Sequence, residues 1–234
     1  MILESFDAWV RPESAGQLAQ IRAQRLGAYI TFEGADGCGK STFAKSLLQN
    51  LLEQNLSSIL TREPGGTNFG LKLRQILQYR DQIGEIDAKA EYLLFAADRA
   101  QHFAQVVIPN LQAGRIVISD RTGDSSIVYQ GYGRGLDCTM INQINQWATS
   151  KIKPNLIIYL KIDLQTSQAR IAGRAEQMTA FEQADVLFLN KLISGFDDLY
   201  ANRADVLILD GKLPTSDLVT QATVRILDLV KLER

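Results

Sequence analysis

Short β-branched or apolar runs recur along the chain at Ala28–Glu33, Ser58–Thr61, Ile116–Asp120, Leu156–Lys161 and Val206–Asp210. Each is short enough for a strand covered on both faces. Longer helix-like stretches lie between them, at Lys40–Gln54, Ala88–Ala113, Thr139–Ser150, Leu164–Arg174 and Glu182–Tyr200. A last amphipathic stretch, Ser216–Leu232, sets Leu218, Ala222, Ile226, Leu229 and Val230 on one face. Strand alternating with helix predicts an α/β fold, a parallel five-stranded sheet with helices on both faces. In such sheets ligands gather at the carboxyl ends of the strands. The residues just after each run are therefore the ones to search.

Residues 1–27 stand outside this rhythm. Glu4 and Asp7 replace a cationic start and no apolar core follows, so a secretory leader is not expected. The expectation is a surface arm or helix, anchored in part by Trp9, ahead of one domain over residues 28–234. The 234 residues are 46% hydrophobic and 22% charged, the profile of a soluble globular chain. A net charge of -1 argues against coating a nucleic acid, and no apolar run has the length of a membrane span. Two cysteines and one histidine, His102, exclude a disulfide framework and any site built from clustered thiolates or imidazoles. The expected location is cytoplasmic.

One motif carries most of the chemistry. Gly34-Ala35-Asp36-Gly37-Cys38-Gly39-Lys40-Ser41 fits G-x-x-x-x-G-K-[ST] and follows the first strand directly. Glycines let successive backbone N–H groups converge on phosphate oxygens, at the positive end of the helix that follows. Lys40 is expected to reach the β- and γ-phosphates and Ser41 to ligate Mg²⁺. Cys38 reads as a small residue tolerated in the loop. The motif does not by itself separate GTPases, ATPases and small-molecule kinases. Asp120-Arg121-Thr122-Gly123 does fit a GTPase-like D-x-x-G, but the Asn190-Lys191 pair lacks the aspartate that reads guanine. Three arginines then point to a second anion. Arg62 and Arg121 follow strands, and Arg99 shares a helix face with Phe95, a ring and guanidinium able to stack on a base and bond its edge.

Together these segments closely resemble the thymidylate kinases, most nearly their bacterial form. The resemblance rests on Phe32–Thr42, on Thr61-Arg62-Glu63-Pro64-Gly65-Gly66-Thr67, on Leu94–His102, and on Asp120-Arg121 with Asp124–Gly131. It implies an ATP- and Mg²⁺-dependent enzyme that phosphorylates dTMP to dTDP, acting as a homodimer with a P-loop NTPase fold. By position, the loop from Gly34 through Ala35, Asp36, Gly37, Cys38, Gly39, Lys40 and Ser41 to Thr42 binds ATP. The resemblance also implies that Asp36 holds the dTMP 3′-hydroxyl and helps organise Mg²⁺ with Ser41 and Asp120. Phe95 stacks on thymine and Arg99 bonds its O4 edge. Arg62 and Pro64 lie in the loop lining the monophosphate site, and Arg121 contacts the phosphate. Ser125, Ser126 and Gln130 line the base and sugar region, while Tyr129 excludes a ribose 2′-hydroxyl. His102 is expected on a solvated helix face, with no catalytic part.

Two departures from the family pattern stand out. Thr122 follows Arg121 where the family commonly has Tyr or His, a change expected to alter packing more than chemistry. The lid, about residues 170–182, keeps Phe181-Glu182 but has Thr179-Ala180 where Asp-Arg is common. Arg170 and Arg174 are left as its cations, Arg174 being preferred as catalytic beside Gly173. A kinase for another deoxynucleotide, or a nucleotide-binding protein weakened by its lid, are the alternative readings.

Overall fold

A computed structural model of the chain describes residues 27–78, 83–173, 178–183 and 185–232. The expected arm, apart from Gly27, and Arg174 within the lid lie outside the described residues.

The five expected strands form one parallel sheet. In chain order they are β1 (Tyr29–Glu33), β2 (Ser58–Arg62), β3 (Ile116–Asp120), β4 (Leu156–Lys161) and β5 (Val206–Asp210). Their spatial order is β2-β3-β1-β4-β5, with Thr31 opposite Ser119 on one side and Ile157 on the other. Among the described residues the α-helices are α1 (Lys40–Glu53), α2 (Asn68–Gln78), α3 (Ala88–His102), α4 (Ile108–Gln112), α5 (Gly123–Ser126), α6 (Cys138–Ala148), α7 (Leu164–Ala172), α8 (Val186–Tyr200) and α9 (Thr215–Leu232).

Alternation within each strand sends side chains to both faces, and both faces are covered. Ile30, Phe32, Ile118, Leu156, Ile158 and Leu160 meet Phe43, Leu47 and Leu51 of α1 and Leu218, Ala222 and Ile226 of α9. On the other face Ile157 and Tyr159 pack on Phe188, Leu192, Phe196 and Tyr200 of α8. Tyr29 and Val117 meet Phe103, Val107 and Leu111. Burial of each such side chain contributes about 1.5–3 kcal/mol, so the sheet is a rigid platform for the loops at its carboxyl edge.

Several helix starts have a capping aspartate: Asp87 for α3, Asp137 for α6, Asp163 for α7 and Asp185 for α8, each accepting backbone N–H bonds. The cap at Asp185 corrects the expected helix over Glu182–Tyr200. It begins at Val186, and Phe181 and Glu182 are left in the turn before it. The long expected helix Ala88–Ala113 is continuous but changes winding, with a π-helical turn at Phe103–Val107 between α3 and α4. A second π-helical stretch, Ile127–Gly133, extends α5. Helix α2 was not foreseen at all.

Candidate active site

The carboxyl ends of β1, β2 and β3 open into one cleft of about 570 Å³. Its floor is the loop after β1. Gly37 and Gly39 adopt φ of 78° and 96°, a left-handed backbone that brings successive N–H groups to one side. Lys40 is buried and crosses beneath the loop, donating to the carbonyl oxygens of Gly34 and Ala35 at 2.9 Å each. Helix α7 braces the loop from the far side. Ser167 Oγ donates to Asp36 O at 2.7 Å, and Arg170 donates to Cys38 O at 3.2 Å and to Gly211 O at 2.9 Å.

Ser41, the first-turn hydroxyl of α1, donates to Asp120 Oδ2 at 2.6 Å across the β1–β3 junction. Among the described residues no group of three or more His, Cys, Asp or Glu could form a protein-only metal cage. A hydroxyl beside a carboxylate is instead the sparse oxygen set that Mg²⁺ takes next to phosphates. Asp36, expected on the metal side, has both carboxylate oxygens engaged elsewhere: Arg121 donates to Oδ1 at 2.5 Å and the Tyr129 hydroxyl to Oδ2 at 2.9 Å. Burial works against its charge, but the Arg121 and Lys40 cations outweigh it and hold the carboxyl below its usual range.

Arg121 reaches into the cleft from a strained backbone. Its φ of 74° is rare for a side-chain-bearing residue. The strain is held by two bonds, Arg121 N–H to Phe32 O at 2.9 Å and Ser119 Oγ–H to Arg121 O at 2.8 Å. Behind it sits Glu33, fully buried, a residue to which sequence reasoning assigned no role. Its carboxylate accepts from Ser125 Oγ at 2.5 Å and from Thr122 N–H at 2.8 Å, and Ser125 Oγ also accepts from Arg121. Burial pushes the Glu33 carboxyl up to about 7, even with Arg121 pulling it down. Thr122, buried, lines the cleft here and contributes its backbone N–H to Glu33.

At the other end the cleft is lined by aromatic rings. Phe95, Tyr129 and Phe181 form a cluster, with Phe181 5.9 Å from Phe95 and 5.7 Å from Tyr129 between ring centroids. Phe181 belongs to the lid, whose backbone is tied to α2 by Ala180 N–H donating to Gln78 O at 3.1 Å. Arg99 lines the same end yet is 1% exposed: it donates to Glu63 Oε2 at 2.8 Å, Asn145 Oδ1 at 2.6 Å and Ser126 Oγ at 3.2 Å. Gln130, buried, donates to Glu91 at 2.9 Å.

Most expected site residues thus share one cleft. Gly37, Gly39, Lys40, Ser41, Thr42 and Asp120 line its floor, and Asp36, Arg62, Pro64, Arg121 and Ser125 its middle. Phe95, Arg99, Ser126, Tyr129 and Gln130 line the aromatic end. Gly34, Ala35 and Cys38 lie behind the lining; Ala35 and Cys38 are buried. Arg174 falls outside the described residues. The reading of His102 as solvated is corrected: it is 0% exposed and bonded on both ring nitrogens. The i, i+3 spacing from Arg99 was the available signal, since it turns both side chains to one face of α3. Arg74, Gln78 and Glu182 also line the cleft and were not singled out as site residues. No helix among the described residues is long and apolar enough to cross a membrane.

Comparisons with known proteins point to a single family. The thymidylate kinase family model matches residues 32–222. A thymidylate kinase of Nostoc punctiforme is 39% identical over 202 residues, 86% of this chain and 95% of that protein. One from Halothermothrix orenii is 39% identical over 184 residues, 78% of this chain and 88% of that protein. The crystal structure of the thymidylate kinase from Ehrlichia chaffeensis superposes with a TM-score of 0.67 at 31% identity, covering 86% of this chain and 98% of that one.

Proposed function

The chain belongs to the thymidylate kinase family, and from that premise we propose that it transfers the γ-phosphoryl group of ATP to dTMP, giving dTDP and ADP. The observation that carries the reading is the continuity of the cleft. A phosphate-binding loop lies at one end and an aromatic pocket with an arginine at the other, while Arg121 and Asp36 span the middle.

The acceptor oxygen of dTMP is already an anion, so the chemistry asks for alignment and charge neutralisation more than for a general base. Lys40 and the loop N–H groups hold the donor phosphates. Ser41 and Asp120 would hold Mg²⁺, which when bound neutralises phosphate charge. Arg121 binds the acceptor phosphate, and Asp36 accepts from the 3′-hydroxyl. Phe95 stacks on the base, with Arg99 at its O4 edge and Tyr129 against the sugar C2′. Arg62, Pro64, Ser125, Ser126 and Gln130 complete the wall of the acceptor site.

The proposed activity is placed in the cytoplasm. A homodimer is supported by Met140, Ile144 and Trp147, which recur at helical spacing along α6. Met140 and Trp147 are 53% and 81% exposed. Sedimentation of the intact chain at micromolar concentration should give twice the monomer mass. The substrate assignment is tested by coupled turnover with dTMP, dUMP and dGMP. A preference for dTMP is expected, and equal turnover of the three would overturn it.

A further inference from the structure

One buried group has no part in the mechanism above. His102 is fully enclosed and spends one ring nitrogen on the end of β2 and the other on the residue just after it. Nδ1 lies 2.9 Å from Glu63 Oε1, and Nε2 lies 2.7 Å from Thr61 Oγ1. The other carboxylate oxygen of Glu63, Oε2, accepts from Arg99 Nε at 2.8 Å. Burial opposes charge on Glu63, but Arg99 and the histidine bond outweigh it and hold its carboxyl below the usual range. An ionised carboxylate has no proton to give, so Nδ1 is the donor in this bond.

We infer that His102 is a positioning residue for substrate recognition: it orients Glu63, which orients the Arg99 guanidinium toward the bound base. A guanidinium has five N–H donors. Three are spent on Glu63, Asn145 and Ser126, leaving two on a side chain whose surface lines the cleft. With Nε fixed on Glu63, the plane of the fork is fixed too, and so is the direction of what remains. The packing round the imidazole is tight. A Cβ added to Gly66 would lie 2.5 Å from His102 Cδ2, so the loop closes on the ring only because that residue is glycine. The neighbouring Asp98 accepts from Gly65 N–H at 3.0 Å, so α3 grips the same loop twice.

The inference rests on the proposed reading of Arg99 at the base O4 edge, and its test separates the two. The readout is the ratio of kcat/KM for dTMP to that for 5-methyl-dCMP, whose 4-amino group presents donors to Arg99 where dTMP presents an acceptor. A loss of fold or of active enzyme lowers both rates and leaves the ratio unmoved. The amide of an asparagine stands where Nδ1 stood, whereas that of a glutamine stands where Nε2 stood. His102→Asn should therefore keep the wild-type ratio within about threefold, and His102→Gln should lower it about tenfold, the scale of one hydrogen bond to a charged group. Glu63→Gln, with the ring in place, gives a second arm should His102→Gln not fold, and it should lose the preference likewise. A preference that survives His102→Gln or Glu63→Gln, or falls equally in His102→Asn, overturns the inference alone. A wild-type enzyme with no preference for dTMP overturns the functional reading and this inference with it.

Discussion

Asp36 and Arg121 meet across the cleft with 2.5 Å between Oδ1 and Nη2, joining the loop after β1 to the end of β3. The pair couples the two halves of the site, since Asp36 lies in the loop proposed to bind ATP and Arg121 is proposed to face the acceptor.

Breaking the pair is expected to cost rate on the acceptor side. Asp36→Asn leaves Arg121 without its closest anion and weakens the acceptor for a 3′-hydroxyl. We expect kcat/KM for dTMP to fall about 100-fold, the scale for removing one preorganised electrostatic contact. Arg121→Lys should do the same, because a single ammonium does not reproduce the contacts of the guanidinium with Asp36, Ser125 and Gly34. Steady-state kinetics with dTMP varied at saturating ATP would decide; a loss below threefold contradicts the assignment.

The aromatic end should act on binding of one substrate only. Phe95→Ala removes the ring expected beneath the base and should raise KM for dTMP about tenfold, given ~1–3 kcal/mol per base–aromatic contact. Phe181→Ala removes a ring that contacts both Phe95 and Tyr129, and a smaller rise is expected. KM for ATP should stay within about twofold in both variants. Equal effects on the two substrates would show that the rings do not form an acceptor pocket.

Glu33 gives stability a pH dependence. Burial raises its folded pKa from 4.5 to about 7, so its contribution is full below about 4.5 and is lost as pH rises through 7. Glu33→Gln has no such loss. Its stability relative to wild type should rise between pH 5 and pH 8, by on the order of 3 kcal/mol. Urea denaturation of both proteins at the two pH values measures this difference directly. Parallel changes in the two would mean that Glu33 does not titrate there.

The lid arginines should divide their labour. Arg170 uses Nη1 to brace Cys38 O and Gly211 O, and its side chain also lines the cleft. Arg174, the lid cation preferred from the sequence, is proposed to meet the transferred group. Arg174→Ala should lower kcat about 100-fold, as loss of a transition-state cation does, while the calorimetric Kd for dTMP shifts less than threefold. Unchanged kcat would remove Arg174 from the mechanism, and tight binding with negligible turnover in the wild type would favour a nucleotide-binding protein over a kinase.

The sheet was legible because each of its strands is a short apolar run followed by a distinct boundary, and burial on both faces leaves little else for such runs to be. The loop from Gly34 to Ser41 was legible because phosphate binding by backbone demands glycine at fixed spacing. Helix α2 was not, since Gly65 and Gly66 precede it and Gly70 sits in its first turn, all of which read as loop. Its capping signal was present: Thr67 Oγ1 accepts from Gly70 N–H at 2.9 Å. Glu33 and His102 were missed for a different reason. A titratable residue in a strand or on a helix looks alike whether its partners are water or groups 39 and 89 residues away, and only the tertiary fold distinguishes them.

The sheet order has a consequence for how the protein is made. Central β1 pairs with β3 and β4, and both partners lie far along the chain from it. It ends at Glu33, whereas β4 begins only at Leu156. At about 5–20 residues per second, the β4-facing edge of β1 waits on the order of ten seconds for its partner. During that interval β1 gains β3 as a partner but keeps an open edge on its β4 side, the kind of unpaired strand edge that templates aggregation.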